Sequence, residues 1–194
     1  MRIGIALFDG AEELDWAGPW EVLAAWAQQF PDDGVEVFTL ARTDGPVTCA
    51  KGLRVLPDRT WESAGPLDVL VYPGGMGSRR ELADDAVLEW VRGLARAGTL
   101  MTSVCTGALV FAAAGLLEGR PATTYWGAMQ TLGGLDGSIE LRPDDRFVDS
   151  GEIVTAAGVS AGIDMALHLV ARLHSVERAK EVRRYIQYDP DPPV

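Results

Sequence analysis

The chain has 194 residues, 47% hydrophobic and 23% charged, a length that suits one domain spanning 1–194 and burying roughly 70% of its unfolded surface. Its net charge of −11, with no basic stripe, argues against nucleic acid as a partner. Two cysteines, Cys49 and Cys105, without a CxxC pair, argue against a disulfide framework and suit a reducing, cytoplasmic setting.

The start, Met1 to Phe8, is too short for the apolar core of a signal peptide. Ile3 to Phe8 reads as a strand buried on both faces. Trp16 to Gln29 carries helix-spaced apolar residues, and Val35 to Leu40 is a strand. Val47 to Leu56 reads as a hairpin around Lys51-Gly52. Asp68 to Tyr72 is a second buried strand, stopped by Pro73-Gly74-Gly75. Glu81 to Ala97 reads as one amphipathic helix, acidic at its start and basic at its end, as the helix dipole prefers. Leu100 to Val104 is a strand, Ala108 to Leu117 a helix closed by Gly119, Pro121 to Trp126 a short strand, and Trp126 to Leu132 a short helix. Arg146–Asp149 and Glu152–Ala156 flank the turn signal Ser150-Gly151. Ser160 reads as the N-cap of a helix ending near His174. A last helix covers Val176 to Tyr188. No apolar run approaches the ~20 residues of a membrane span, so no membrane partner is expected.

This alternation predicts an α/β fold, a three-layer sandwich with a mostly parallel, flavodoxin-like sheet. Right-handed crossovers place the loops after the strands on one rim, where ligands bind in such sheets. Three of those loops carry chemistry: Gly10 to Asp15, Pro73 to Ser78, and Cys105-Thr106-Gly107.

The third is the most specific. An apolar strand ends at Cys105 and a helix begins at once, the layout of a nucleophile elbow with sulfur in place of oxygen. Unpaired N–H groups and the helix dipole there favour thiolate, so Cys105 is expected to be the low-pKa thiol and to oxidise before Cys49. A buried structural cysteine has the same local pattern. Asp15 stands just before a helix, where it could serve as an N-cap. It could equally be a carboxyl held against the thiol, raised in pKa by burial and like charge, and able to move a proton. Glu12 and Glu13 read as solvated turn residues. Gly74 and Gly75 could let backbone N–H groups approach a ligand, as oxyanion-type donors shared with the Thr106 N–H. The two histidines, His168 and His174, share one helix, and His168 lies among apolar residues that suggest packing. The segment Thr123-Thr124-Tyr125-Trp126 offers a tyrosine where an imidazole base could stand, which weakens a Cys–His hydrolase reading. No cluster has metal-ligand spacing.

These residues together resemble the ThiJ/PfpI superfamily, which shares the class I glutamine amidotransferase-like fold. The motifs are Gly10-Ala-Glu-Glu-Leu-Asp15 with Gly18-Pro19, Asp68 to Gly75, Ser103-Val-Cys-Thr-Gly-Ala108 with Ala113 to Leu117, Ala122 to Trp126, and Ala161-Gly-Ile-Asp164. They span nearly the whole chain. The Cys-Thr-Gly elbow, the Leu-Asp-x-x-Gly-Pro segment and the ending Tyr188 to Pro193 are similar to the isonitrile hydratase branch. The resemblance implies Cys105 as nucleophile, Asp15 as its acidic partner, Thr106 as a neighbouring site residue, a homodimer, a small-molecule substrate and no cofactor. Tyr125 departs from the pattern, since relatives often carry histidine there; Tyr125 and Trp126 are expected near the pocket. Other relatives are ligand-sensing domains of AraC-type regulators.

Isonitrile hydration suits this inventory. One thiolate and one carboxyl can add water to R–N≡C, giving an N-substituted formamide through a thioimidate. Two other readings use the same residues: a glyoxalase- or deglycase-like enzyme acting on small reactive carbonyls, and a non-catalytic redox or ligand-sensing module.

Overall fold

The computed structural model describes residues 1–191. In chain order it contains β1 (Arg2–Ala6), α1 (Glu13–Gln29), β2 (Glu36–Ala41), β3 (Val47–Thr48), β4 (Arg54–Val55), β5 (Arg59–Thr60), α2 (Trp61–Ala64), β6 (Val69–Tyr72), α3 (Ser78–Glu81) and α4 (Asp85–Arg96). Then come β7 (Leu100–Val104), α5 (Gly107–Ala113), β8 (Pro121–Ala122), α6 (Met129–Leu135), β9 (Glu140–Leu141), β10 (Phe147–Asp149), β11 (Ile153–Ala156), α7 (Ala161–Leu173) and α8 (Val176–Tyr185).

Seven strands form the main sheet in the order β10-β11-β7-β6-β1-β2-β5. Every pairing in it is parallel except β10 with β11. All four residues of β6 and all four of β11 are buried. Strands buried on both faces need helices on both faces. One group is α1 with α7 and α8; the other gathers α3, α4 and α6 around α5. This is the α/β, mostly parallel, flavodoxin-like architecture that the alternation predicts.

The register positions the site. Ile5 pairs with Val71, Tyr72 with Ser103, and Val104 with Ala156. The loops that follow β1, β6, β7 and β11 therefore leave the sheet along one rim. β1 has β2 on one side and β6 on the other, so the order reverses beside it, and such a switch point opens a crevice at the strand ends.

Several elements differ from the sequence expectation. The expected helix over Glu81 to Ala97 starts later, as α4 at Asp85, because Asp84 caps it: its carboxylate accepts from the Ala86 N–H at 2.9 Å. The expected strand from Pro121 to Trp126 shrinks to β8, which pairs with β9 outside the main sheet. Trp126–Ala128 is a short 3-10 turn leading into α6. Ser160 makes no side-chain cap to α7. β5, α2 and α3 had no sequence signal. Of the expected helix to Tyr188, α8 ends at Tyr185; Pro192 and Pro193 of the terminal motif lie outside the described residues. Among the described residues, no helix is long and apolar enough to cross a membrane.

Candidate active site

Cys105 occupies the two-residue gap between β7 and α5, with a φ of 57°. That left-handed backbone is uncommon for a residue with a Cβ and matches the sharp strand-to-helix turn of an elbow. It is held on both sides. The Cys105 N–H donates to the carbonyls of Ala156, at 3.1 Å, and Ala157, at 2.9 Å. The Thr124 hydroxyl donates to the Cys105 carbonyl at 2.6 Å. A side chain at Gly107 would strike the Tyr72 carbonyl, so α5 starts on glycine to seat the elbow against β6.

Asp15 is not an N-cap. Helix α1 begins two residues earlier, with Glu12 at the cap position, and Asp15 lies inside the first turn with no exposed surface. Its Oδ2 accepts from the Gly74 N–H at 2.8 Å. Its Oδ1 is buried with no hydrogen-bond partner among the described residues. A buried carboxyl oxygen without a donor is costly if charged and comfortable if protonated. Burial raises Asp15 from 3.8 to about 7, against lowering by the Gly74 N–H and by the neighbouring Cys105 thiol.

The thiol departs from expectation. Burial and the Asp15 charge push Cys105 up to about 12, although the Thr106 and Val159 N–H groups at the sulfur pull the other way. Helix α5 has only seven residues, and its dipole does not outweigh those two effects. The pair is therefore coupled. Between about 7 and about 12 it holds one negative charge, shared between carboxyl and sulfur. A thiolate exists there only together with a protonated Asp15. Cys49 is also raised, chiefly by burial.

Gly74 and Gly75 are not free oxyanion-type donors. The Gly74 N–H is given to Asp15 and the Gly75 N–H to the Thr106 hydroxyl at 2.9 Å. Glycine is needed at 74 because a Cβ there would run into the Thr106 N–H. The Thr106 hydroxyl, 4% exposed, also meets the fully buried Ser78 hydroxyl at 2.9 Å. Its side chain thus locks the β6 loop to the elbow, while its N–H faces sulfur.

A cavity of about 350 Å³ opens over Cys105, lined by Glu12, Lys51, Gly75, Met76, Arg79, Thr106, Tyr125 and Val159. Trp126 is not in that lining; it stands 79% exposed, its ring 5.2 Å from that of Tyr125. Glu12 and Glu13 are not solvated turn residues, since both pair with Lys51, and Glu13 also accepts from the Lys51 N–H at 2.7 Å. Val159 escaped the sequence reading. It follows β11, and its φ of 47° is an outlier for a β-branched residue. The signal available was its place after a fourth strand ending on the same rim. His168 pairs with Asp149 at 2.7 Å and stacks on Phe147; His174 meets Asp33. Neither lines the cavity. Among the described residues, no group of three or more His, Cys, Asp and Glu could hold a metal ion.

Chemically, this arrangement can present a thiolate to a small electrophile while the adjacent carboxyl delivers the matching proton. The fold and this elbow define a class. The DJ-1/PfpI family model matches residues 1–172, and the chain belongs to that family. Within it, the chain is 40% identical over 193 residues to the isonitrile hydratase of Pseudomonas putida, covering 100% of this chain and 81% of that protein. It is 31% identical over 156 residues to the HTH-type transcriptional regulator CdhR of Pseudomonas aeruginosa, covering 80% of this chain but only 46% of the regulator. A crystal structure of a ThiJ/PfpI family protein from Pseudomonas syringae superposes with a TM-score of 0.89 at 31% identity, covering 100% of this chain and 77% of that one.

Proposed function

We propose that the protein is an isonitrile hydratase, a cysteine-dependent hydro-lyase acting on a small molecule in the cytoplasm without metal or cofactor. The observation that carries the reading is the buried Asp15–Cys105 pair, which holds one transferable proton and has no histidine beside it. The 40% identity to the Pseudomonas putida enzyme over the full chain supports it.

In the active form Asp15 is protonated and Cys105 is thiolate, steadied by the Thr106 and Val159 N–H groups. Sulfur bonds to the terminal carbon of R–N≡C as Asp15 gives its proton to that carbon, producing R–N=CH–S–Cys. Asp15, now carboxylate, takes a proton from water, and the hydroxide adds to the same carbon. The nitrogen gains that proton from Asp15; the C–S bond then breaks to return the thiolate as the adduct's O–H proton passes back to Asp15. R–NH–CHO leaves, and the pair returns to one proton and one charge. No amine is expelled, so the histidine acid of amide hydrolysis has no task here. Gly74 fixes the carboxyl, and Thr106 with Ser78 fixes the loop that carries Gly74.

The test is a product assay on an aliphatic isocyanide and on methylglyoxal, with wild type and Cys105→Ser, in the presence of EDTA. Cys105-dependent formamide supports the hydratase. Cys105-dependent loss of methylglyoxal alone favours the carbonyl enzyme. Binding without turnover of either favours a ligand-sensing module, the reading that the CdhR likeness would suit.

A further inference from the structure

The peptide that joins Cys105 to Thr106 carries two polar groups of the elbow. It is trans, so its carbonyl and its N–H point in opposite directions. The N–H end is the Thr106 N–H, which meets the Cys105 sulfur and favours its charged form. The carbonyl end is that of Cys105 and has two donors. The Thr124 hydroxyl reaches it at 2.6 Å, and the Ala108 N–H at 3.4 Å, beyond the usual range for an amide donor. Thr124 is therefore the main anchor of this peptide on its carbonyl side.

Thr124 is itself held in place. It is 1% exposed and absent from the cavity lining, so it does not meet a substrate. Its neighbour Thr123 donates its N–H to the Thr155 hydroxyl at 2.9 Å. Thr155 lies on β11, in register with Ser103, two residues before the nucleophile. The segment is thus stitched both to the sheet and to the elbow. On the other side of the peptide the β6 loop packs close, since a Cβ at Gly74 would lie 2.4 Å from the Thr106 nitrogen. Rotating the peptide plane would break the Thr124 bond and take the N–H off sulfur in one movement. A donor on the carbonyl also polarises the peptide, which makes its N–H a stronger donor.

We propose that Thr124 is a positioning residue for the nucleophile: by holding the Cys105 carbonyl, its hydroxyl aims the Thr106 N–H at the sulfur and so favours thiolate in the reactive pair. The peptide geometry carries this role; only its consequence for formamide rests on the hydratase reading above. The backbone at Cys105 calls for such a clamp. Its φ of 57° is sparsely populated for a residue with a Cβ and persists only where the surroundings hold it. The bonds from the Cys105 N–H to Ala156 and Ala157 fix the strand side of the residue, and Thr124 fixes the helix side.

Thr124→Val removes the donor and keeps the shape, whereas Thr124→Ser keeps the donor. The readout is the rate of Cys105 alkylation by iodoacetamide against pH, followed on the Cys105 peptide by mass spectrometry. Wild type is expected to rise through about pH 7 to a plateau, where the pair holds one charge. Thr124→Val should lower that plateau by about tenfold, the change that goes with one pKa unit. Its midpoint should stay near the wild-type one, because that ionisation is set chiefly by the burial of Asp15. Thr124→Ser should keep the wild-type plateau. A purely structural role moves the rate the other way, since a loosened elbow exposes a thiol that ionises near its ordinary value of about 8.5 and reacts faster. Thr124→Ala is the second variant should Thr124→Val not fold. A plateau unchanged or raised in the Val and Ala variants, or lowered equally in Thr124→Ser, would overturn the proposal. The kcat for formamide should fall in step with the plateau. If no isocyanide is turned over while the alkylation pattern holds, the hydratase reading fails and the positioning role stands.

Discussion

The Asp15 carboxyl and the Cys105 thiol share one buried site: loss of water raises Asp15 to about 7, and loss of water together with the Asp15 charge raises Cys105 to about 12. Neither group is ready alone. Asp15 has no exposed surface and one oxygen without a partner, and Cys105 sits in left-handed backbone with two N–H groups at its sulfur. In the proposed mechanism, reactivity belongs to the pair in its singly charged state.

The rate of formamide formation should follow that state. It should rise about tenfold per pH unit below about 7 and level off above it, as the pair loses its first proton. A steady-state pH profile checks this. A profile flat from pH 5 to 9 would show that the pair's first ionisation does not govern the chemistry.

Asp15 should also weaken the fold at neutral and basic pH. Its folded value lies above its ordinary 3.8, so the folded state holds the proton more tightly than the unfolded chain does. Its stability contribution is therefore most favourable below about pH 4 and is lost as pH climbs through about 7. Asp15→Asn keeps the acceptor for Gly74 and removes the charge. It should be more stable than wild type at pH 8, on the order of a few kcal/mol, with the gap closing toward pH 4. Its hydratase activity should fall by about 10² or more. Denaturant unfolding at both pH values, with the activity assay, reads both effects; an active variant of unchanged stability would return Asp15 to a packing role.

The Gly74–Thr106 contact gives a structural check on how the carboxyl is held. Gly74→Ala should cost about 1–3 kcal/mol, because the methyl must push against the Thr106 backbone. Thr106→Val should cost a similar amount, since the part-buried Gly75 N–H then loses its acceptor. Urea midpoints with unchanged m-values measure both.

A symmetric dimer is expected from the family membership and from apolar surface left bare near the site, with Trp126 79% and Met76 68% exposed. Light scattering over a range of concentrations should return twice the chain mass. The mass of one chain throughout would count against it.

Much of this was legible in sequence, because the governing signals are short-range. The apolar runs Ile3–Phe8, Asp68–Tyr72 and Leu100–Val104 became strands of the parallel sheet, and the jump from Val104 through Cys105 to a helix read directly as an elbow. What sequence could not supply depended on distance in space. Asp15 resembles an N-cap until Gly74, 59 residues away, is seen donating to it. The Gly74 and Gly75 N–H groups look free until the carboxyl and the Thr106 hydroxyl are seen to occupy them. The helix dipole argued for a low-pKa Cys105, but dipoles are local, and burial beside a second acid outweighs them. Val159 comes from the loop after β11, whose place beside the elbow appears only once the sheet order is known.

The central claim is that Cys105 adds to the isocyanide carbon with a proton from Asp15. Quenched-flow mass spectrometry of the wild-type protein mixed with n-butyl isocyanide tests it most directly. A transient gain equal to the mass of one isocyanide is expected on the Cys105 peptide, decaying as N-butylformamide appears, and absent from Cys105→Ala. Formamide production by Cys105→Ala at the wild-type rate would contradict it.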